Sequence, residues 1–363
     1  SPMYLKASAK TSPAGPIRSL ARLGLLALAL PLTACNMVVM KPSGDIANQQ
    51  AQLIVASTLL MLLIIVPVII LTLVFAFRYR ASNTQATYSP EWDHSTRLEL
   101  IIWGAPLLII IALGAMTWIS THKLDPFRPL ERLDAQRAIP AGVEPLNVEV
   151  VALDWKWLFI YPDQGVATVN ELVAPVDRPI HFKISSSTVM NAFYVPAMAG
   201  MIYAMPGMQS QLHAVINKPG VYDGFSANFS GDGFSHMRFK FHGLSNDEFA
   251  AWVERNKADG VALTKELYLD LEKPSERQPV RRYSSVAPGL FDAVVNRCVD
   301  GSKMCMGQMM AIDAAGGGGK GAIDGLASKP WSNEQKRIFV AALCTPDNAG
   351  QYASQWQASA TRN

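Results

Sequence analysis

Cysteine is the scarcest informative residue in this chain: of 363 residues only four are Cys, at 35, 298, 305 and 344, and none lies between Cys35 and Cys298. A blue-copper or two-copper centre needs thiolate sulfur, so neither can be built in the intervening region. Charge is scarce as well: the formal net charge is only +3, with no dense Lys/Arg stripe, which gives no basis for a nucleic-acid partner. Locally the absence is complete, because no charged side chain occurs from Ile46 to Phe77 or from Leu100 to Thr121.

Those two gaps are where the long apolar runs lie. The 25-residue stretch "LIVASTLLMLLIIVPVIILTLVFAF", Leu53 to Phe77, rises about 1.5 Å per residue as a helix and crosses a hydrocarbon core of roughly 30 Å with some tilt. Pro67 predicts a kink in its middle. The second run carries Trp103 and Trp118 near its ends, as interfacial aromatics do. Spans are therefore expected at about 53–77 and 100–121, within a hairpin of residues 46–122.

Upstream, "LARLGLLALALPL" follows Lys6, Lys10 and Arg18, carries Arg22 near its start, and runs into "LTAC". A basic region, a short apolar region and small residues before a Cys make a lipoprotein signal peptide of residues 1–34, with Cys35 as the acylated new N-terminus and 35–45 as the anchored segment. Flanking Lys and Arg do not choose an orientation, since Arg78, Arg80 and Arg97 between the spans are balanced by Lys123, Arg128, Arg132 and Arg137 after them. An exported Cys35 does choose, and places everything after Thr121 outside the cytoplasmic membrane.

The exported half opens with a proline-bearing linker, 123–145. Eight short runs with β character follow between residues 146 and 244, punctuated by Gly, Pro, Asp and Asn about every ten residues, which predicts a β-sandwich or barrel. In "MRFKF" the apolar Met237, Phe239 and Phe241 alternate with Arg238 and Lys240, giving one buried and one wet face. Ser245 with Glu248 three residues later forms a capping box, which starts a helical region expected over 245–297. Residues 298–363 read as a flexible Cys-, Met- and Gly-containing tail. Its "GGGGKG" is not a phosphate loop, because Gly321 stands where Ser or Thr is required.

The stretch "VYDGFSANFSGDGFSHM", Val221 to Met237, has the outline of a metal-binding loop without the thiols. A membrane hairpin followed by an external β-domain with such a loop resembles subunit II of the haem–copper respiratory oxidases. In the copper-bearing branch of that family a cupredoxin holds a two-copper centre through an early His and a late C-S-E-x-C-G-x-x-H-x-x-M loop. Laid on that pattern, Ser226 and Ser230 replace the thiolates, Asn228 the Glu, Phe234 the loop His and Asn191, in "NAFYVP", the early His; Met237 alone is kept. Serine hydroxyls are hard and neutral and cannot bridge copper. His181, His213, His236 and His242 have no partners at metal-ligand spacing, and Met198, Met201, Met205 and Met208 read as core or interface filler.

The stretches "FRYRASNTQATYSPEWDHSTRLEL", "DWKWLFIYPDQGVATVNEL" and "IYAMPGMQSQLHAVINKPGVYDG" are similar to subunit II of the bacterial bo-type ubiquinol oxidases. That resemblance implies a structural, non-metallated subunit of a complex that oxidises ubiquinol, reduces oxygen to water and pumps protons in the bacterial inner membrane. Haems and copper would sit in the large subunit I, smaller membrane subunits would accompany it, and cytochrome c would not be a partner. It also implies a proton-uptake entrance at Glu99 and a subunit contact at Trp155 and Trp157, for which core packing is the competing reading. Rival readings are a copper-bearing subunit of a cytochrome c oxidase and a stand-alone periplasmic copper-handling lipoprotein. Cysteines outside the cytoplasm pair, so Cys344 is expected to join Cys298 or Cys305, with a Cu(I)-holding tail cluster as the alternative.

Overall fold

A computed structural model describes residues 37–87 and 89–314. Two helices, α1 (Asp45–Arg78) and α2 (Thr96–Lys123), are long and apolar enough to cross a membrane, and each contains one proline, Pro67 and Pro106. Cys35 and the signal-peptide segment lie outside the described residues, as does Cys344.

Helix α1 starts well before its apolar run, and its first turns belong to the folded half. Ser43 and Gly44 both donate backbone N–H groups to the Ala197 carbonyl, and Ala47 and Ala51 are buried. A Cβ on Gly44 would collide with the Val215 and Met198 carbonyl oxygens, so only glycine permits this approach. Asp45, buried, receives two bonds from the Arg132 guanidinium, at 3.0 and 3.2 Å. The proline-bearing linker is strapped down too. Arg137 grips Asp177 at 2.7 and 2.8 Å, Asn217 donates to the Leu133 carbonyl and to Asp177, and the Pro126 carbonyl accepts from the His213 backbone.

The β-domain is a sandwich. Its strands are β1 (Leu146–Leu153), β2 (Lys156–Tyr161), β3 (Val166–Val169), β4 (Glu171–Pro175), β5 (Ile180–Ser186), β6 (Asn191–Tyr194), β7 (Ile202–Ala204), β8 (Ser210–Ala214), β9 (Gly220–Ser226) and β10 (Arg238–Leu244). Then come α3 (Asn246–Asp259), β11 (Val261–Leu263), α4 (Lys265–Glu272), β12 (Arg281–Val286), α5 (Leu290–Val295) and α6 (Met306–Ala314). One sheet runs β11-β12-β3-β2-β1-β5-β8 and the other β4-β10-β9-β6-β7. Between β3 and β4 stands Asn170, whose φ of 58° turns the chain from one sheet to the other. Asn tolerates that region, and its side chain accepts from the Trp157 N–H while donating to the Gln278 carbonyl.

Both faces of the larger sheet are covered. Between the sheets lie Trp157, Phe159, Tyr161, Phe182, Phe193, Phe239 and Phe241, closed at one end by Phe249 and Trp252 of α3, whose capping box at Ser245 and Glu248 is formed. On the outer face Val151, Leu153, Leu158 and Ile160 pack against Tyr268, Leu271, Leu290 and Phe291 of α4 and α5. All six residues of β2 are buried for this reason, which is why "KWLFIY" does not alternate. The region expected to be helical over 245–297 also holds β11 and β12. Only Tyr283 of "RRYSSV" is buried, so β12 lacks the apolar alternation that marks a strand, and its pairing with β3 is what makes it one.

Candidate functional site

The end of β9, the start of β6 and the loop from 227 to 237 converge, because Phe193 pairs with Ser226 across the sheet. That register brings Asn191, Ser226 and Asn228 into one knot. The Ser226 hydroxyl lies 3.1 Å from Asn191 Oδ1 and 3.2 Å from the Asn228 carbonyl, and it accepts from the Ala192 N–H. Asn191 Nδ2 donates to the Val189 carbonyl, and Asn228 Nδ2 donates to the Met190 and Phe229 carbonyls. Ser230 Oγ stands 4.0 Å from the sulfur of buried Met237.

The loop keeps a tight shape for steric reasons. Gly231, at φ 114°, and Gly233 both lie under the Trp155 indole, where a Cβ on Gly233 would come within 2.5 Å of the ring. The same indole N–H donates to the Ser230 carbonyl at 2.9 Å. Phe234 packs edge-on against Phe229, 5.7 Å between centroids, and Phe229 is 75% exposed. The donor set at this place is thus two hydroxyls, two amides and one thioether, already engaged with one another and with backbone. It does not fit a copper pair, which needs bridging thiolates and imidazoles.

The histidines are also occupied. His236 Nε2 accepts from Arg277 at 2.9 Å. His181 and His213 face each other across β5 and β8 and stack at 4.4 Å, and burial pushes both below the ordinary imidazole range. His242, on the face of β10 that carries Arg238 and Lys240, sits 4.0 Å from Glu171 and is only half-exposed. Among the described residues no group of three or more His, Cys, Asp or Glu could hold a metal ion.

Two expectations are corrected. Trp157 is completely buried between the sheets, edge-on to Phe193 and Phe239, and is a core residue unable to reach another subunit; Trp155 is half-buried at the loop. Cys298 and Cys305 are joined to each other, not to Cys344, because the turn through Asp300 brings their Cα atoms to 4.8 Å. The bond also takes both thiols away from a Cu(I) cluster. Glu99 is in the first turn of α2, half-exposed, with its carboxylate 2.7 Å from His94 Nδ1.

Two further polar anchors fix the segment that follows α3. Buried Lys156 donates to the Asp154 and Lys273 carbonyls and to Ser275 Oγ, and desolvation pushes its ammonium down to about 8. Buried Glu171 of β4 receives both arms of Arg282 of β12, at 2.7 and 2.8 Å, and the Trp252 indole N–H. Both ends of each contact were visible as residue types, but only the fold brings them together.

The family described as "Cytochrome C oxidase subunit II, periplasmic domain" matches residues 164–242, and that described as "COX Aromatic Rich Motif" matches residues 257–302. The protein named cytochrome bo(3) ubiquinol oxidase subunit 2 of Pseudomonas aeruginosa is 48% identical over 272 residues, 75% of this chain and 80% of that one. Ubiquinol oxidase subunit 2 of Acetobacter aceti is 48% identical over 284 residues, 78% of this chain and 90% of that one. The class is therefore subunit II of a haem–copper oxidase complex, a membrane-anchored chain with a cupredoxin-like domain of the periplasmic type. Within that class, the chain belongs to the ubiquinol oxidase subunit 2 family.

Proposed function

We propose that this chain is the structural, non-metallated subunit of a complex that oxidises ubiquinol, reduces oxygen to water and pumps protons across the bacterial inner membrane. The observation that carries the reading is the Asn191–Ser226–Asn228 knot, in which the positions that would hold copper bond to one another. Ubiquinol is lipid-soluble and delivers electrons from within the membrane, so an outer relay from cytochrome c has no task. Haems, copper and the quinol site belong to the large subunit, with smaller membrane subunits beside it, and acylated Cys35 adds a palmitate-type anchor to the hairpin. Half-buried Trp155 and Phe234, with exposed Phe229, form the apolar rim that this domain presents to the large subunit.

The complex purified through this chain, assayed for metal and for oxygen uptake, is expected to turn over with ubiquinol and not with reduced cytochrome c, and to hold no copper on this subunit. Copper retained here, together with cytochrome c turnover, would overturn the reading in favour of a copper-bearing subunit. Isolation without any haem-containing partner would favour a stand-alone lipoprotein. A Trp155→Ala complex that assembles and turns over normally would remove the rim from the contact.

Glu99 is the entrance of a proton-uptake path into the large subunit. It stands at the start of an uncharged run, where an ionisable side chain is a functional candidate, and its His94 neighbour offers a second proton-carrying group. Glu99→Gln is expected to lower ubiquinol turnover at least several-fold while the complex still assembles. Unchanged turnover and pumping would mean that Glu99 only favours the positive end of the helix dipole.

A further inference from the structure

Helices α4 and α5 pack on the outer face of the larger sheet over β1 and β2. At the edge of this packing a cavity of about 220 Å³ opens between β1, the turn after β2 and the segment joining β12 to α5. Ile160, Val286, Leu290 and Phe291 give it apolar walls, and Glu149 and Asp292 are its acids. Glu149 is the unusual member. The other enclosed carboxylates of this domain and its docked helix end, Asp45 and Glu171, at 2% and 9% side-chain exposure, each take two guanidinium bonds. Glu149, at 16%, takes no hydrogen bond from any described residue, and its nearest cation is its register partner on β5, partly exposed Lys183, 4.0 Å away. A carboxylate this far withdrawn from water and without a hydrogen-bond donor is costly.

We propose that this cavity binds a primary alkylammonium group, whose N–H donors bond the Glu149 carboxylate while its alkyl body lies against Ile160, Val286, Leu290 and Phe291. Asp292 on the rim supplies the second negative charge. A metal ion is the poorer fit, since no third ligand is in reach among the described residues. The ammonium has two possible sources, a free amine or a lysine side chain of a neighbouring chain, and the chemistry is the same for both. Burial pushes the Glu149 carboxyl up to about 7, with Asp292 and Asp163 adding to the rise and Lys183 opposing it. Ionised Glu149 is the binding form, so affinity rises as pH climbs through 7. Between pH 6 and 8 the ionised fraction changes about ten-fold.

The test is calorimetric titration of the purified complex with n-hexylammonium, with n-hexanol as the uncharged control. Saturable binding at pH 8, about ten-fold weaker at pH 6, at least ten-fold weaker in Glu149→Gln and a few-fold weaker in Asp292→Asn, with none for hexanol, is the expected result for a free amine. If a lysine already fills the cavity, hexylammonium does not bind, and zero-length carbodiimide cross-linking followed by peptide mass spectrometry joins Glu149 to a lysine of another chain. Neither binding nor cross-link, or binding that survives in Glu149→Gln, overturns the proposal.

Discussion

Replacing Arg282 by leucine is expected to destabilise the β-domain by about 3–5 kcal/mol, because it leaves the enclosed Glu171 side chain without its partner. The Glu171 side chain is 9% exposed and takes both arms of Arg282, and what remains after the change is a Trp252 N–H at 3.4 Å and His242 at 4.0 Å. The pair joins β4 of one sheet to β12 of the other, so its loss also frees the segment that α4 and β12 belong to. Thermal unfolding of the purified complex should shift down by several degrees, and protease should cut first between residues 273 and 281. Glu171→Leu together with Arg282→Leu should recover most of the loss, since an apolar pair in place of a buried ion pair is often neutral. A single Arg282→Leu within about 0.5 kcal/mol of the parent would mean that water screens the pair as at an ordinary surface.

The ease with which features could be read from the sequence follows the range over which each is encoded. The spans, the Ser245 capping box and the alternation of "MRFKF" are local patterns, and each reappears in α1, α2, α3 and β10. The lack of thiols in the loop is legible without coordinates; the way Asn191, Ser226 and Asn228 bond one another needs them. Strand β12 stayed hidden because a strand with one buried side chain has no period to detect. Contacts 111 residues apart, such as Glu171 with Arg282, leave no local trace at all.

The histidines show the same limit in another form. His181 and His213 look like two isolated residues in the sequence, yet an antiparallel register places them directly opposite one another. Sequence reading also weighs Trp155 and Trp157 together, since they share a short aromatic run. Two positions apart on a strand they would share a face, but Trp155 lies just before β2 begins, and only Trp157 enters the core. Their different surroundings assign them different tasks: one shapes the loop, the other fills the sandwich.

Trp157→Ala is therefore expected to cost about 3–5 kcal/mol of β-domain stability, the range for removing a large buried aromatic. The ring is fully enclosed and edge-on to Phe193 at 5.5 Å and Phe239 at 5.8 Å, with those two rings stacked on each other at 5.5 Å. Trp157→Phe should cost far less, roughly 1–2 kcal/mol, because only volume is lost. The indole N–H finds no acceptor among the described residues, so removing it breaks no hydrogen bond. The two variants separate a core role from a contact role. In the core, Trp157→Ala lowers the yield of assembled complex while each surviving complex turns over ubiquinol at the parent rate, and Trp157→Phe restores the yield. A contact residue would behave differently, with the β-domain folding normally and the large subunit dissociating from it during purification. Protease resistance of the β-domain, measured beside haem content in the same preparation, distinguishes the cases, and a resistant β-domain stripped of haem would return Trp157 to the interface.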